Sequence, residues 1–518
     1  MKLKALLFIL FCILIALSCS KKDKTITSTI RVGILGEPNT LDPAYVKDVT
    51  GGRIVSCIFN CLVRTDKDGN IIPDIADTWE INDRGLKYKF ILKDNVYFHN
   101  NRKLISKDVE RTFIRLLKES PRSWVVEDIK GSIDVKTKKV DTISGIQILS
   151  DTELIITLSK PFSPFLYKLA MPNASIIPFE EAEKAEIFGR KPVGAGPWIF
   201  SEWITGQKVV LVRNKDYFLG VNNHLPNKLE FKFYVSDFSL SCEYQNNALD
   251  IIEITRSILP VLSADKNSVI HKTAGLNLYF LGFNCKQPPF TDPEIRRAFS
   301  MGIDREAIMK TLYQENAILS NGPIPPGLPG YRENKPWPQY NPDEAKKILA
   351  KKRFDFKKEY VLLQTESKEV LGISESVQQY LSNLGIKIKI TQRETSSFKE
   401  NLFQGNYDLF YYSWWADYPD AENFLYPLFH SANIPSGGNP TFYSNPKIDS
   451  LIIQAQSTTN KRNAIALYQN IEDKIIEDMP RIFLWHKTIL WASKKNVSNF
   501  QLYPIFNAEK FEHVALNY

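Results

Sequence analysis

The sequence predicts an α/β protein built from more than one domain. Three features say so. The chain has 518 residues, and single hydrophobic cores stop growing at roughly 250–300 residues. Strand and helix signals alternate from one end to the other, the pattern of layered α/β architecture. Several helix starts carry explicit capping residues, which marks the helices as separate elements.

In chain order, Thr29 to Leu35 reads as an opening strand and Leu86 to Leu92 as another. Ser106 to Leu117 reads as a helix with Ser106 at the N-cap, where a hydroxyl accepts from a first-turn N–H. Thr291-Asp292-Pro293-Glu294 has the capping-box spacing, with Pro near the first helical position. Asn341-Pro342-Asp343-Glu344 opens a further helix the same way. Val377, Leu381 and Leu384 share one helical face, and Gly385 is placed to stop that helix. Ile386, Ile388 and Ile390 alternate with Lys387 and Lys389, as in a strand buried on one face. Ala464, Leu467, Ile471, Ile475 and Met479 keep the helical period as far as Pro480, and Ile482 to Trp485 is a short apolar strand. Asn321 to Gly330, rich in Gly and Pro, is expected as a long surface loop. The chain carries no internal repeat.

Composition narrows the function classes. Apolar residues make 43% and charged residues 24% of the chain, an ordinary balance for a folded protein. A net charge of +8 spread over this length, with no dense basic stripe, argues against nucleic acid as a partner. Lys2 and Lys4 followed by the apolar run Ala5 to Leu17 read as an export signal. That run is shorter than the ~20 apolar residues of a membrane span. Export places the mature chain in an oxidising compartment. Cys57 and Cys61 sit four apart on a predicted helix, where Cβ atoms stand about 5–6 Å apart. A disulfide wants about 3.5–4.5 Å, so these two are expected as buried free thiols. A Cys242–Cys285 bridge is left open.

Catalytic signatures are missing. The chain has no G-x-S-x-G, no Walker-type phosphate loop and no H-E-x-x-H. His99, His224, His271, His430, His486 and His513 never fall at metal-ligand spacing. Gly194-Ala195-Gly196 lacks the third glycine of a dinucleotide fingerprint. No catalytic residue, metal or cofactor is therefore nominated, and the chain is read as a binding protein rather than an enzyme.

Two resemblances then become specific. Ser18-Cys19, with Ala16 where the usual Leu would stand, resembles the bacterial lipobox. That resemblance implies a lipidated Cys19 and a polar tether over residues 19–28, after a signal peptide over residues 1–18. Cleavage near Ser18 without lipidation is the alternative. Further on, Glu37-Pro38-Asn39-Thr40-Leu41-Asp42-Pro43, Pro73-Asp74-Ile75-Ala76-Asp77-Thr78-Trp79 and Phe98-His99-Asn100 with Ser106-Lys107-Asp108-Val109 occur in order. Gly194-Ala195-Gly196-Pro197-Trp198, Leu211-Val212-Arg213-Asn214 with Tyr217-Phe218, Phe283-Asn284 with Pro289-Phe290, and Ile295-Arg296-Arg297-Ala298 with Ile303-Asp304-Arg305 follow. With these motifs the chain resembles the peptide/nickel class of ABC-importer solute-binding proteins along nearly its whole mature length.

The resemblance implies a two-lobed periplasmic-binding-protein-like fold of type II, closing on its ligand as a clamp. It implies a discontinuous first lobe over residues 29–56, 187–280 and 485–518, an extra α/β subdomain over 57–186, and a second lobe over 281–484. It also implies a peptide ligand, permease and ATPase subunits as partners, and a periplasmic or cell-surface location on a membrane. Tyr411 to Asp420 resembles the family's peptide-gripping strand and loop. By that resemblance Asp417 takes the ligand's amino terminus, and Ser413, Trp414 and Trp415 offer backbone pairing. Glu37, Pro38 and Asn39 grip the opposite ligand edge. Asp420 competes with Asp417 for the charged role, and Tyr279 is placed at the cleft floor. On the residues alone, Leu409 to Trp415 fits a buried sheet strand better than a ligand platform, and Asp417 fits a turn or cap equally well. A nickel chelate, haem, a sugar or a murein peptide stays open as ligand, as does an adhesin or sensor role without transport.

Overall fold

The computed structural model describes residues 28–183, 185–220, 226–505 and 508–517. The segment expected as an export signal, Cys19 and His224 lie outside the described residues. Among the described residues no helix is long and apolar enough to cross a membrane.

One large sheet runs through the molecule. Its strands lie in the order Lys387–Arg393, Glu359–Thr365, Leu409–Trp415, Asn277–Phe283, Arg481–Lys494, Ile251–Glu253, Thr29–Leu35, Lys228–Tyr234, Lys208–Arg213 and Trp198–Ile204. Arg481–Lys494 is the shared member. Its first residues pair antiparallel with Asn277–Phe283, from Gly282↔Arg481 to Tyr279↔Trp485. Its later residues pair with Ser268–Ala274, from Ala274↔Thr488 to Ser268↔Lys494. The chain therefore passes from one half-sheet to the other within a single extended strand. Cuts at residues 280/281 and 484/485 fall inside Asn277–Phe283 and Arg481–Lys494. By pairing, the transition lies at Gly275–Leu276 and Lys487–Thr488.

Three cores result. The first gathers Ile30, Val32, Trp198, Phe231 and Trp491 around the helix Val49–Ile58. The second packs Phe113, on the helix Ser106–Glu119, with Phe90 of the four-stranded sheet Ala76–Asn82, Lys87–Leu92, Glu153–Thr157 and Ile146–Ile148. The third runs from Leu276 to Trp485. Cys57–Phe59 and Ile177 pack in the first core, so the inserted core itself begins near Leu62.

Local expectations meet structure at most helix starts. Asn341 accepts from Glu344 N and starts Pro342–Lys351. Gly385 ends its helix region at φ +86°, where glycine carries no Cβ penalty. Two caps differ from expectation. Asp292, not Thr291, accepts from Glu294 N, because it stands directly before Pro293 at the first helical position. Ser106 lies one residue inside its helix, with its hydroxyl bonded to Ser150 O, while Asp108 reaches back to Ile105 N at 3.0 Å. The loop over residues 321–330 is largely covered, with Ile324 and Leu328 in the third core. All four described cysteines are free thiols. Cys242 belongs to the helix Asp237–Gln245 of the first half and Cys285 to the third core's edge, so no bridge joins them. Cys61 lies beyond the end of Val49–Ile58 rather than on it.

Candidate functional site

The strand Leu409–Trp415 sets the site. Alternation sends Phe410, Tyr412 and Trp414 to one face. There they meet Phe280 and Phe398, at centroid distances of 6.1 Å for Phe280–Phe410 and 5.6 Å for Phe398–Tyr412. Trp414 Nε1 donates to Asn423 O at 2.8 Å, which fixes the turn that follows. Tyr411, Ser413 and Trp415 point the other way, opposite Leu281, Tyr279 and Asn277. Tyr279 stands edge-on to Trp415, at 6.3 Å between centroids. Burial pushes the Tyr279 hydroxyl up, against hydrogen bonds from the Trp415 and Ser413 side chains. Tyr279, Ser413 and Trp415 are thus one cluster.

The opposite edge of the same strand is open to a partner. Glu359–Thr365 pairs only with Leu409 and Phe410. From Tyr411 to Trp414 no ladder pairing continues along that edge among the described residues. An open edge is where an extended ligand adds as a strand.

The strand ends where Ala416 N donates to Leu276 O at 2.9 Å and Asp417 N to Asn423 Oδ1 at 2.8 Å. These bonds use the Asp417 backbone and leave its carboxylate to point into a cavity of about 160 Å³. The far wall comes from the other two cores: Lys47, Asp48 and Gly52 at the helix Val49–Ile58, and Arg122 and Tyr167 of the inserted core. Asp417 Oδ1 faces Arg122 Nη1 at 3.5 Å, and each side chain is 29% exposed. Burial raises the Asp417 carboxyl above the ordinary carboxylate range, and the Arg122 charge pulls it back down. Ion pairs as exposed as this contribute about 0.2–1 kcal/mol, so an arriving cation can displace Arg122.

The neighbouring residues are engaged differently. Asp420 is buried, accepting from Glu422 N at 2.8 Å and Tyr468 OH at 2.9 Å, so its carboxylate holds the start of the helix Glu422–Phe429. Tyr418 leaves its own core and sits in the inserted one. That places the loop across the boundary between two bodies. Glu37 accepts from Trp203 Nε1 at 2.7 Å and Gly206 N at 2.9 Å, a grip internal to the first core. Pro38 is buried and Asn39 exposed. The cavity is lined by Trp415 and Asp417, and not by Ser413, Trp414, Tyr279, Asp420 or Glu37 to Asn39. Lys47, Asp48, Arg122 and Tyr167 are lining residues that sequence reasoning missed. Arg122 follows Pro121 in a loop with no periodicity, and only the fold brings it across 295 positions to Asp417.

Next to the loop, Glu422 is buried, accepting from Tyr418 OH and from Gln456 Nε2 at 2.7 Å. Burial pushes its carboxyl up to about 7, against these bonds and the Lys168 charge. Unfolded, it titrates near 4.3. Between those values the folded chain keeps the proton that the unfolded chain has released, so stability falls as pH rises from about 4.3 to about 7. Glu422→Gln is expected to raise the melting temperature at pH 8 and to leave it nearly unchanged at pH 4. Equal melting curves at both pH values would show that folding leaves the Glu422 carboxyl at its ordinary value.

Comparison with known proteins decides the family. Residues 70–436 match the family model described as "Bacterial extracellular solute-binding proteins, family 5 Middle". The chain belongs to this family. The solute-binding protein is 26% identical to Di/tripeptide-binding protein 2 of Pseudomonas aeruginosa, over 98% of each chain. It is 25% identical to Heme-binding protein A of Haemophilus influenzae, over 100% of each. The structure of HbpA2 from Haemophilus parasuis superposes with a TM-score of 0.83 at 26% identity, covering 95% of this chain and 100% of that one. The fold is the two-lobed type II periplasmic-binding architecture that the sequence resemblance implied.

Proposed function

We propose that this solute-binding protein captures peptides by their amino terminus and hands them to the permease of an ABC importer. The carrying observation is the Asp417 carboxylate, partly desolvated in a cavity between two bodies, at the end of a strand whose edge is open. A carboxylate so placed suits an ammonium group, since a charge-assisted pair gains strength when water is thinned out. The open edge suits the peptide backbone, which every peptide offers alike. The relative whose name specifies di- and tripeptides supports this reading. Among the described residues no histidine lines the cavity, so an imidazole grip on haem iron or nickel has no residue there. Binding proceeds without chemistry, and opening and closing of the two halves moves about the strand Arg481–Lys494.

The test is thermal unfolding with short peptides, each free or acetylated at the amino end, after an unfolding and refolding step removes carried ligand. A ligand at 100 times its dissociation constant adds about 2.7 kcal/mol. Stabilisation by free but not acetylated peptides is expected. No stabilisation by any peptide would move the search to haem, metal chelates and sugars. The same reading includes a lipid at Cys19 as the membrane anchor. Cys19→Ser is then expected to move the protein from the membrane to the soluble fraction, and unchanged fractionation would remove the anchor.

A further inference from the structure

The ion pair across the cavity carries more than closure. Arg122 comes from the inserted core and Asp417 from the third, and both line the same space. Lys47 lines it too, exposed at the head of the helix Val49–Ile58. The other cations of the wall are held: Arg64 by Glu512 at 2.6 Å, and Lys510 by Phe59 O at 3.0 Å with Asp74 at 3.6 Å. Among the wall's carboxylates, Asp48 accepts from Gly51 N at 2.7 Å, and Asp74 accepts from Asn60 and Cys61 N.

An amine that takes Asp417 removes the only carboxylate that Arg122 faces within salt-bridge distance among the described residues. The guanidinium then stands in a partly desolvated cavity that Lys47 also lines, with no carboxylate within salt-bridge distance among the described residues. Guanidinium groups cannot shed their proton to escape that situation. A replacement anion restores the balance, and it must lie within a few ångströms of the ligand's ammonium, because Arg122 starts 3.5 Å from Asp417.

We propose that Arg122, assisted by Lys47, is a specificity-determining residue that binds a carboxylate of the ligand, so that the preferred ligands are compact zwitterions: free amino acids, dipeptides, or peptides with an acidic residue at the amino end. The inference rests on the reading of Asp417 as the ammonium site. It adds that a ligand lacking a nearby anion exchanges one ion pair for an unpaired cation. A neutral ligand leaves the Arg122–Asp417 pair in place and gains nothing from either charge.

Isothermal titration of the full mature protein tests this with one dipeptide in four forms: free, acetylated, amidated, and blocked at both ends. Amidation is expected to weaken binding by at least about tenfold, a step worth one power of ten in the dissociation constant. Arg122→Gln is expected to reduce the ratio of free to amidated affinity to about one, with the sensitivity to acetylation retained. Arg122→Lys, which keeps the charge, is expected to keep part of the ratio, and so separates lost charge from lost folding. Equal binding of free and amidated dipeptide by the wild type would overturn the proposal while leaving the ammonium site intact. A ratio unchanged in Arg122→Gln would also overturn it. Binding of none of the four would overturn both readings.

Discussion

Asp417→Asn is expected to weaken binding of peptides with a free amino end by at least about 30-fold, the equivalent of 2 kcal/mol. The change is nearly isosteric, and the fold holds this residue through its backbone N–H to Asn423, not through its carboxylate. The variant should therefore melt close to the wild type without ligand. What it loses is the charge facing Arg122 and, in the complex, the ammonium. Affinity for the acetylated peptide should not change, because that ligand never used the charge. The pH dependence adds a second signature. Burial raises the Asp417 carboxyl, so wild-type affinity should fall on acidification at a higher pH than an ordinary aspartate would give. The variant should show no such fall. If Asp417→Asn binds the free peptide within about threefold of wild type, Asp417 is not the ammonium site. Asp420 would then not inherit the role, since it is buried and its Oδ1 already accepts from Tyr468 OH and Glu422 N.

Much of this arrangement was legible in the sequence, and the remainder was hidden for physical reasons. Leu409 to Trp415 could be read as a strand because aromatic residues crowd it, and its bounds coincide with Leu409–Trp415 in the fold. Its first three residues are buried, as in an interior strand, and its last four are partly open. The capped helices were legible because a cap is a local contact between neighbours in sequence. Arg481–Lys494 was read short, as Ile482 to Trp485. His486, Lys487 and Thr488 break the apolar run, and pairing with Ala317–Leu319, Ser268–Ala274 and Ile251–Glu253 carries the strand onward. Arg122 was invisible for the same reason. Its meaning lies in a partner almost three hundred positions away, and a loop arginine announces nothing by itself. Glu37 was nominated from its motif, and the fold engages its carboxylate with Trp203 and Gly206.

The glycine turn shows how a motif matched for function can be structural, and it makes the other large prediction. Gly196 N donates to Ile58 O at 2.8 Å, which presses the turn against the last carbonyls of the helix Val49–Ile58. A Cβ on Gly196 would lie 2.5 Å from Cys57 O and 2.5 Å from Ile58 C. Both are backbone atoms, so no side chain can swing aside. His99 locks the far side: its Nδ1 accepts from Gly194 N at 3.3 Å, leaving Nε2–H to donate to Gly196 O at 3.0 Å. Burial pushes this imidazole down to about 4, so it stays neutral with the proton on Nε2. Gly196→Ala must therefore push the turn off the helix that carries Gly52 of the cavity wall, breaking these bonds as it moves. A loss of about 3 kcal/mol or more is expected, at the upper end of overpacking costs. The urea midpoint should drop, and ligand affinity should drop with it. Gly372→Ala is the matched control. Gly372 lies inside the helix Lys368–Ser382 with nothing within 4 Å of a Cβ, so alanine there should stabilise by about 0.5–1 kcal/mol. Opposite signs at the two positions would show that contact, not glycine content, governs the turn. A Gly196→Ala midpoint equal to wild type would mean the turn relaxes freely, and the motif would need another explanation.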